Sequence, residues 1–260
     1  MRWLLIMFDG AGYTASVLFR AAAHSVRRPR VAMTARLMYE NGLKSLPVVM
    51  VVALFSGMII AMQTGLEVAR LGDEEFLGLL VAQTFAREFG PFVTCIILVG
   101  TVVSAYAAEI GTMSVSEEVD ALDVMSIDPI GYLAAPRILA LVIMTFFLTL
   151  CADVVGILGG SVVGYTHLGI PFKAFLDRSL QSLEGREWFG LPRDLYAGLV
   201  KASLTAFVIA GVGCAQGLRA RGGALGVGRA VRRAVITSIV LILVLSHVFT
   251  WLTYRAFIQE

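Results

Sequence analysis

The run FGPFVTCIILVGTVVSAYAA (residues 89–108) has no charge and passes directly into EIGTMSVSEEVDALDVMSIDP (residues 109–129), which has six acids and no base. About 20 apolar residues of helix cross a bilayer core, so the first run is expected to span a membrane. The second must leave it. Four more uncharged blocks flank this pair: Ser45–Leu66 with 22 residues, Val154–Phe172 with 19, Ala202–Leu218 with 17 and Ala234–Tyr254 with 21. Ile138–Ala152 is uncharged too, so the third span is expected to begin ahead of Val154. The pattern predicts an all-α polytopic membrane protein with five transmembrane helices. An N-terminal interfacial helix precedes them, and a short cytoplasmic coupling helix lies between spans 2 and 3. Soluble domains are ~45–50% apolar and ~25% charged; this chain is 58% hydrophobic and 15% charged.

Lys and Arg near span ends set orientation. Arg20, Arg27, Arg28, Arg30, Arg36 and Lys44 precede span 1, Arg137 follows the acidic stretch, and Arg219, Arg221, Arg229, Arg232 and Arg233 lie between spans 4 and 5. Only Arg70, Lys173, Arg178, Arg186, Arg193 and Arg255 fall on the other side. The bias predicts a cytoplasmic N-terminus, a C-terminus on the opposite side of the membrane and a cytoplasmic acidic stretch. Residues 1–42 are expected to form an amphipathic segment at the cytoplasmic interface, with Trp3, Leu4, Met7, Phe8, Val17, Leu18 and Phe19 toward the acyl boundary. Residues 43–260 form the transmembrane domain.

Several function classes fall away. A net charge of +2 does not suggest nucleic acid. Cys95, Cys151 and Cys214 each lie in a span without CxxC spacing and read as small buried hydrophobes. The three histidines are far apart, so no metal cluster is expected. A phosphate-binding loop needs G-x-x-x-x-G-K-[ST]. The sequence lacks that string, and the glycine-rich Gly217–Arg233 segment reads as a basic turn. No cofactor of the chain's own is expected.

In the acidic stretch, Ser114-x-x-Glu117 matches a capping box. Val115, Val119, Leu122 and Met125 fall at helical spacing, with Glu117, Glu118, Asp120 and Asp123 off that stripe. Asp128-Pro129 is expected to end the helix, since proline disfavours helical geometry in its predecessor. A helix of about three turns is not stable alone in water, so it must dock. An anionic leaflet would repel the acids. A protein surface could bury the apolar stripe, at ~1.5–3 kcal/mol per side chain before ordering costs.

Other polar residues interrupt the spans. Pro47 reads as the first turn of span 1, and Gln63 and Thr64 lie near its far end. Asp73-Glu74-Glu75 is expected to open the next helix, where acids suit the N-terminus. Arg87 and Glu88 lie near the start of span 2; substrate passage, structural pairing and interfacial anchoring all remain open for them. Asp153 is open between function and structure, and Lys201 reads as snorkelling. Gly156, Gly160 and Gly164, with Gly159, let helix backbones approach closely. Residues 173–194, with Trp188, read as a short interfacial helix, and His247 is the notable polar residue of span 5.

Taken together, Arg87-Glu-Phe-Gly-Pro91, Ser104-Ala-Tyr-Ala-Ala-Glu-Ile-Gly-Thr-Met113, Glu117-Glu-Val-Asp-Ala-Leu122, Asp128-Pro129, Pro136-Arg137, Val155-Gly-Ile-Leu-Gly-Gly160 and Gly222-Gly-Ala-Leu-Gly-Val-Gly228 resemble the MlaE/YrbE-type permease family of ABC lipid transporters. The resemblance runs from about Leu43 to Thr250. It implies a homodimeric permease in the bacterial inner membrane, moving phospholipid or a related lipid between inner and outer membranes. A separate cytosolic ABC ATPase would bind ATP. A periplasmic MCE-domain protein, usually a hexamer, would sit on the far side, and a small cytosolic STAS-domain subunit fits the same assembly. The family's coupling helix falls on Ser114–Ser126, and its lipid-pathway positions on Gln63, Arg87 and Glu88. His247 replaces a common acid near the end of span 5, and Thr101 stands where many relatives have arginine. These departures bear on cargo.

The reading is therefore a permease without its own ATPase site. Its alternative is an ion-driven secondary transporter of an amphipathic substrate, which would favour buried acids and internal repeats. The sequence offers Asp153 and Glu88 but no evident repeat.

Overall fold

The computed structural model describes residues 2–27, 30–71, 76–183, 187–188 and 191–258. Helix α1 (Arg2–Arg27) is followed by α2 (Val31–Leu37) and α3 (Lys44–Leu71), then α4 (Leu77–Thr84), α5 (Gly90–Leu98), α6 (Ser104–Val115), α7 (Glu118–Val124), α8 (Ala135–Leu168) and α9 (Phe172–Leu183). A two-residue antiparallel pair, β1 (Glu187–Trp188) with β2 (Leu191–Pro192), leads to α10 (Arg193–Leu218) and α11 (Gly223–Ile258). Among the described residues, five helical stretches are long and apolar enough to cross a membrane: Val31–Arg70, Leu77–Val115, Ile130–Leu168, Arg193–Leu218 and Gly223–Thr253. The expected span count holds, and the third span does begin ahead of Val154.

Two expectations need correction, and a third cannot be placed. Span 1 does not start at Pro47, which lies inside α3 with helix running back to Val31. A helical proline clashes with the carbonyl four residues earlier, here Leu43. The π-helical turn Met38–Leu43 widens the helix at that point. The 173–194 segment is not one helix: α9 ends at Leu183, the short β pair follows, and Arg193 already opens α10. Asp73-Glu74-Glu75 lie outside the described residues.

The chain divides into two compact units. The first comprises Met1–Ser45, Leu98–Met144 and Ser203–His247. In it, α1 packs on protein as well as offering a face outward. Val17 and Ala21 are fully buried, while Phe19 is 78% exposed. Leu18 rests against Gly211 and His24 against Gly131, where any Cβ would overlap them. Arg30 stacks 3.9 Å over the Tyr132 ring. Arg137 is buried and binds the Leu133 carbonyl and Glu109, both at 3.0 Å.

The second unit comprises Leu46–Ile97, Thr145–Ala202 and Val248–Glu260. Its core gathers Ala61, Leu77, Val81, Val163 and Phe175. Helix α9 is pinned to α4 by Ser179 Oγ, which donates to the Gly78 carbonyl at 3.0 Å. The α8 glycines divide their work. Gly159 brings α8 onto the α3 backbone at Leu54, and Gly57 of α3 admits the Gly156 carbonyl; Gly156 itself makes room for the Phe85 ring, Gly160 for Val81 and Phe175, and Gly164 for the Phe175 ring.

Candidate functional site

A polar cluster lies within the second unit. The π-helical turn Phe85–Phe89 carries Arg87 and Glu88 inside the second span. They do not pair with each other. Arg87 Nη2 and Nε reach the two carboxylate oxygens of Asp194, each at 2.8 Å. Lys201 Nζ donates to Glu88 Oε2, and Thr250 Oγ1 donates to Glu88 Oε1. Lys201 also donates to Thr250 at 2.9 Å. Asp194 and Lys201 are seven residues apart on α10, two helical turns, so they share a face. A π turn moves successive side chains off the ordinary α-helical register, and such turns recur at functional sites.

Exposure divides unevenly across these pairs. The Asp194 and Lys201 side chains are 11% and 6% exposed, whereas Arg87 and Glu88 are 46% and 41% exposed. Lys201 is therefore a buried counter-ion and not a snorkelling anchor. The α10 charges are held inside, and the α5-side charges remain open to an incoming polar group. Gly198 allows this approach, since a Cβ there would overlap the Ala86 carbonyl. On the other side of the turn Asp153 is buried against Gly90, and among the described residues neither carboxyl oxygen has a hydrogen-bond partner.

The other expected pathway positions are placed differently. Gln63 is exposed on α3 and His247 is exposed on α11. The α11 residue that joins the cluster is Thr250, three positions past His247. Sequence reasoning missed Asp194, Lys201 and Thr250 as partners. The seven-residue spacing of opposite charges at the head of span 4 was the available signal.

The acidic connection belongs to the first unit and departs from the expected single helix. Helix α6 runs to Val115, Glu117 takes a left-handed φ of 62°, and α7 covers only Glu118–Val124. Ser114 does not cap α7; its hydroxyl donates to the Leu218 and Ala220 carbonyls, each at 3.2 Å. Glu117 takes the N-cap position without a side-chain cap bond. The C-terminus closes before Asp128-Pro129. Ser126 adopts φ 59°, its amide bonds the Asp123 carbonyl, and the Ile127 amide bonds the Leu122 carbonyl, both at 2.9 Å. This is a Schellman motif. Asp128 instead begins the next helix, accepting from the Ile130 and Gly131 amides, and pairs with Arg20 at 2.8 Å.

The apolar stripe is split by this geometry. Val119 is buried in the unit, Val115 and Leu122 are half-buried, and Met125 is 60% exposed beside Val124 at 86%. Of the six acids, Glu109 and Asp128 are held by Arg137 and Arg20. Glu117, Glu118, Asp120 and Asp123 are exposed. Four acids and two apolar side chains therefore face outward from one elbow.

Residues 34–252 match the permease MlaE family. A probable ABC transporter permease protein of Rickettsia conorii is 36% identical over 237 residues, covering 90% of this chain and 89% of that one. A probable ABC transporter permease protein of Synechocystis is 35% identical over 214 residues, 82% of this chain and 79% of that one. The chloroplastic protein TRIGALACTOSYLDIACYLGLYCEROL 1 of Arabidopsis thaliana is 34% identical over 217 residues, 84% of this chain and 60% of that one. With its five apolar helices and a match over most of its length, this chain belongs to the MlaE family of membrane permeases of the ABC transporter class.

Proposed function

We propose that this chain is the membrane subunit of a transporter that moves phospholipid or a related glycerolipid, powered by a separate ATPase. The observation that carries this reading is the half-open charge cluster at Arg87 and Glu88 within an otherwise apolar span. A lipid has one charged or zwitterionic end and two apolar tails. A guanidinium and a carboxylate open on one side, among apolar helices, suit that chemistry. The glycerolipid in the name of the Arabidopsis relative points the same way.

The ATPase docks on the 116–127 elbow, through Val124, Met125 and the exposed acids. The elbow then faces the cytoplasm and the C-terminus the periplasm, in agreement with the excess of Lys and Arg around the ends that include it. In this reading the protein sits in a bacterial inner membrane as a homodimer. An MCE-domain protein lies on the periplasmic side and a STAS-domain subunit is an optional cytosolic partner. The lipid path in this reading also takes Gln63 and His247. ATP is bound by the partner, and this chain contributes no hydrolytic group.

The test is lipid recovery from the purified complex. Arg87→Ala is expected to lower co-purified lipid several-fold with the ATPase still attached. Unchanged lipid would reduce the cluster to a structural brace. The ion-driven alternative has one observation in its favour, the partnerless buried carboxyl of Asp153. Transport in vesicles that follows an imposed proton gradient and continues without ATP would favour it.

A further inference from the structure

Asp153 lies within the third span and is 2% exposed. Among the described residues neither of its carboxyl oxygens has a hydrogen-bond partner, and no charged side chain acts on it. Its surroundings belong to the second unit. The preceding residue, Ala152, packs with Val49 and Ala53 of α3 and with Phe85. The charged residues nearest to Gly90 in the chain, Arg87 and Glu88, are engaged by Asp194 and Lys201.

Two more buried oxygens lie along the same seam. Thr149 is one helical turn before Asp153 on α8, and Thr94 is one turn past Gly90 on α5. Both are fully buried, and neither hydroxyl has a hydrogen-bond partner among the described residues. Residues four apart share a helix face. Successive spans run in opposite directions, so Thr94 and Thr149 follow the line that Gly90 and Asp153 begin.

The contact at Gly90 limits what can occupy this seam. A Cβ there would overlap Asp153 Oδ1, so that oxygen rests against the α5 backbone. A metal ion needs several oxygen ligands at ~2.0–2.6 Å, and that side of the carboxyl has no room for them. A proton needs no such space. An ionised carboxylate in an apolar interior is costly without a partner, and such groups neutralise instead. Acids inside spans also mark proton-handling sites. A protonated carboxyl is both donor and acceptor, which suits two hydroxyls along one seam.

We propose that Asp153 is a proton-binding site that governs the seam between α5 and α8. With the proton bound, the carboxyl pairs with Thr149 and the seam closes on Gly90. Loss of the proton draws water in and loosens it. The site links the packing of spans 2 and 3 to pH, whichever energy source drives transport.

The experiment is infrared spectroscopy of the full chain in lipid vesicles, with hydrogen–deuterium exchange in α5 and α8 as a second reading. At neutral pH the wild type is expected to show a protonated-carboxyl C=O band that falls in frequency in heavy water. The band should be absent from D153N and should rise in frequency in T149V, where one hydrogen bond is lost. Raising the pH should abolish it. At that pH, backbone exchange in α5 and α8 should be several-fold faster in the wild type than in D153N, whose side chain cannot ionise. An ionised Asp153 at neutral pH overturns the site, and one whose signal shifts with Na+ at constant ionic strength makes it a metal-ion site instead. A band that persists in D153N belongs to another acid and overturns the assignment. Equal exchange in the two proteins overturns the control of the seam. If D153N fails to accumulate, isotopic labelling of aspartate carboxyls in the wild type decides: a band that ignores the label, or that T149V leaves in place, overturns the proposal. These readings involve neither lipid cargo nor ATP, so their failure leaves the transport reading standing.

Discussion

Arg87 holds Asp194 through a hydrogen bond from Nη2 and an ion-pair contact from Nε, each at 2.8 Å, although a carboxylate lies next to it in the sequence at Glu88. Adjacent residues on a helix point about 100° apart, so neighbours in sequence are poor ion-pair partners. Each instead finds its counter-charge on α10. Two separate pairs result, and their consequences can be separated.

Lys201→Met should destabilise the protein by ~1–3 kcal/mol. Breaking a fully buried pair costs ~3–5 kcal/mol, but Glu88 is 41% exposed and can turn to water. Glu88→Gln combined with Lys201→Met should recover part of the loss. Thermal melts of the two single variants and the double variant give the coupling directly; additive effects would show that the pair is energetically idle.

Val124→Asp with Met125→Asp should weaken ATPase binding at least tenfold and leave the permease folded, because both side chains are exposed. Loss of even one fully buried side chain contact is worth ~1.5–3 kcal/mol. Val119→Asp should instead lower the melting temperature, since Val119 is buried within its own chain. Pull-down of the ATPase beside a melting curve distinguishes the two; co-purification at wild-type levels would remove the elbow from the interface.

Glu117→Gly should be neutral or stabilising by up to ~1 kcal/mol. The left-handed backbone costs a non-glycine residue ~1–2 kcal/mol, and glycine returns ~0.5–1 of that as lost chain entropy. Glu117→Val should be destabilising, because a β-branched side chain fits φ 62° badly. Comparison of the two melts isolates the backbone from the charge.

Gly57→Ala should destabilise by at least ~1–3 kcal/mol, since a methyl there overlaps the Gly156 carbonyl and forces α3 and α8 apart. Gly12→Ala has open space within 4 Å and should stabilise α1 by ~0.5–1 kcal/mol. A shared sign for the two would contradict the close approach at Gly57.

The acidic connection shows how far each kind of information reaches. Its charge and its apolar spacing were plain in residues 109–129. Its shape was not. Ser114 has the right offset for a capping box, but its hydroxyl is taken by two carbonyls more than 100 residues away. The offset is a local signal, and a distant acceptor can outcompete it. Likewise Val124 lies off the stripe, and the structure leaves it exposed at the end of α7, a helix bounded on both sides by left-handed residues.

The sequence alone determined the five spans and the family, because hydrocarbon demands an uninterrupted apolar helix and leaves that demand readable in every block. It also singled out Arg87 and Glu88, since charge inside such a block is conspicuous. Only the tertiary structure decided their partners. Asp194, Lys201 and Thr250 sit 107, 113 and 162 positions away. Pairing over that distance depends on helix packing, on Gly198 admitting Ala86, and on the π turn at Phe85–Phe89. None of these leaves a periodic mark in the chain.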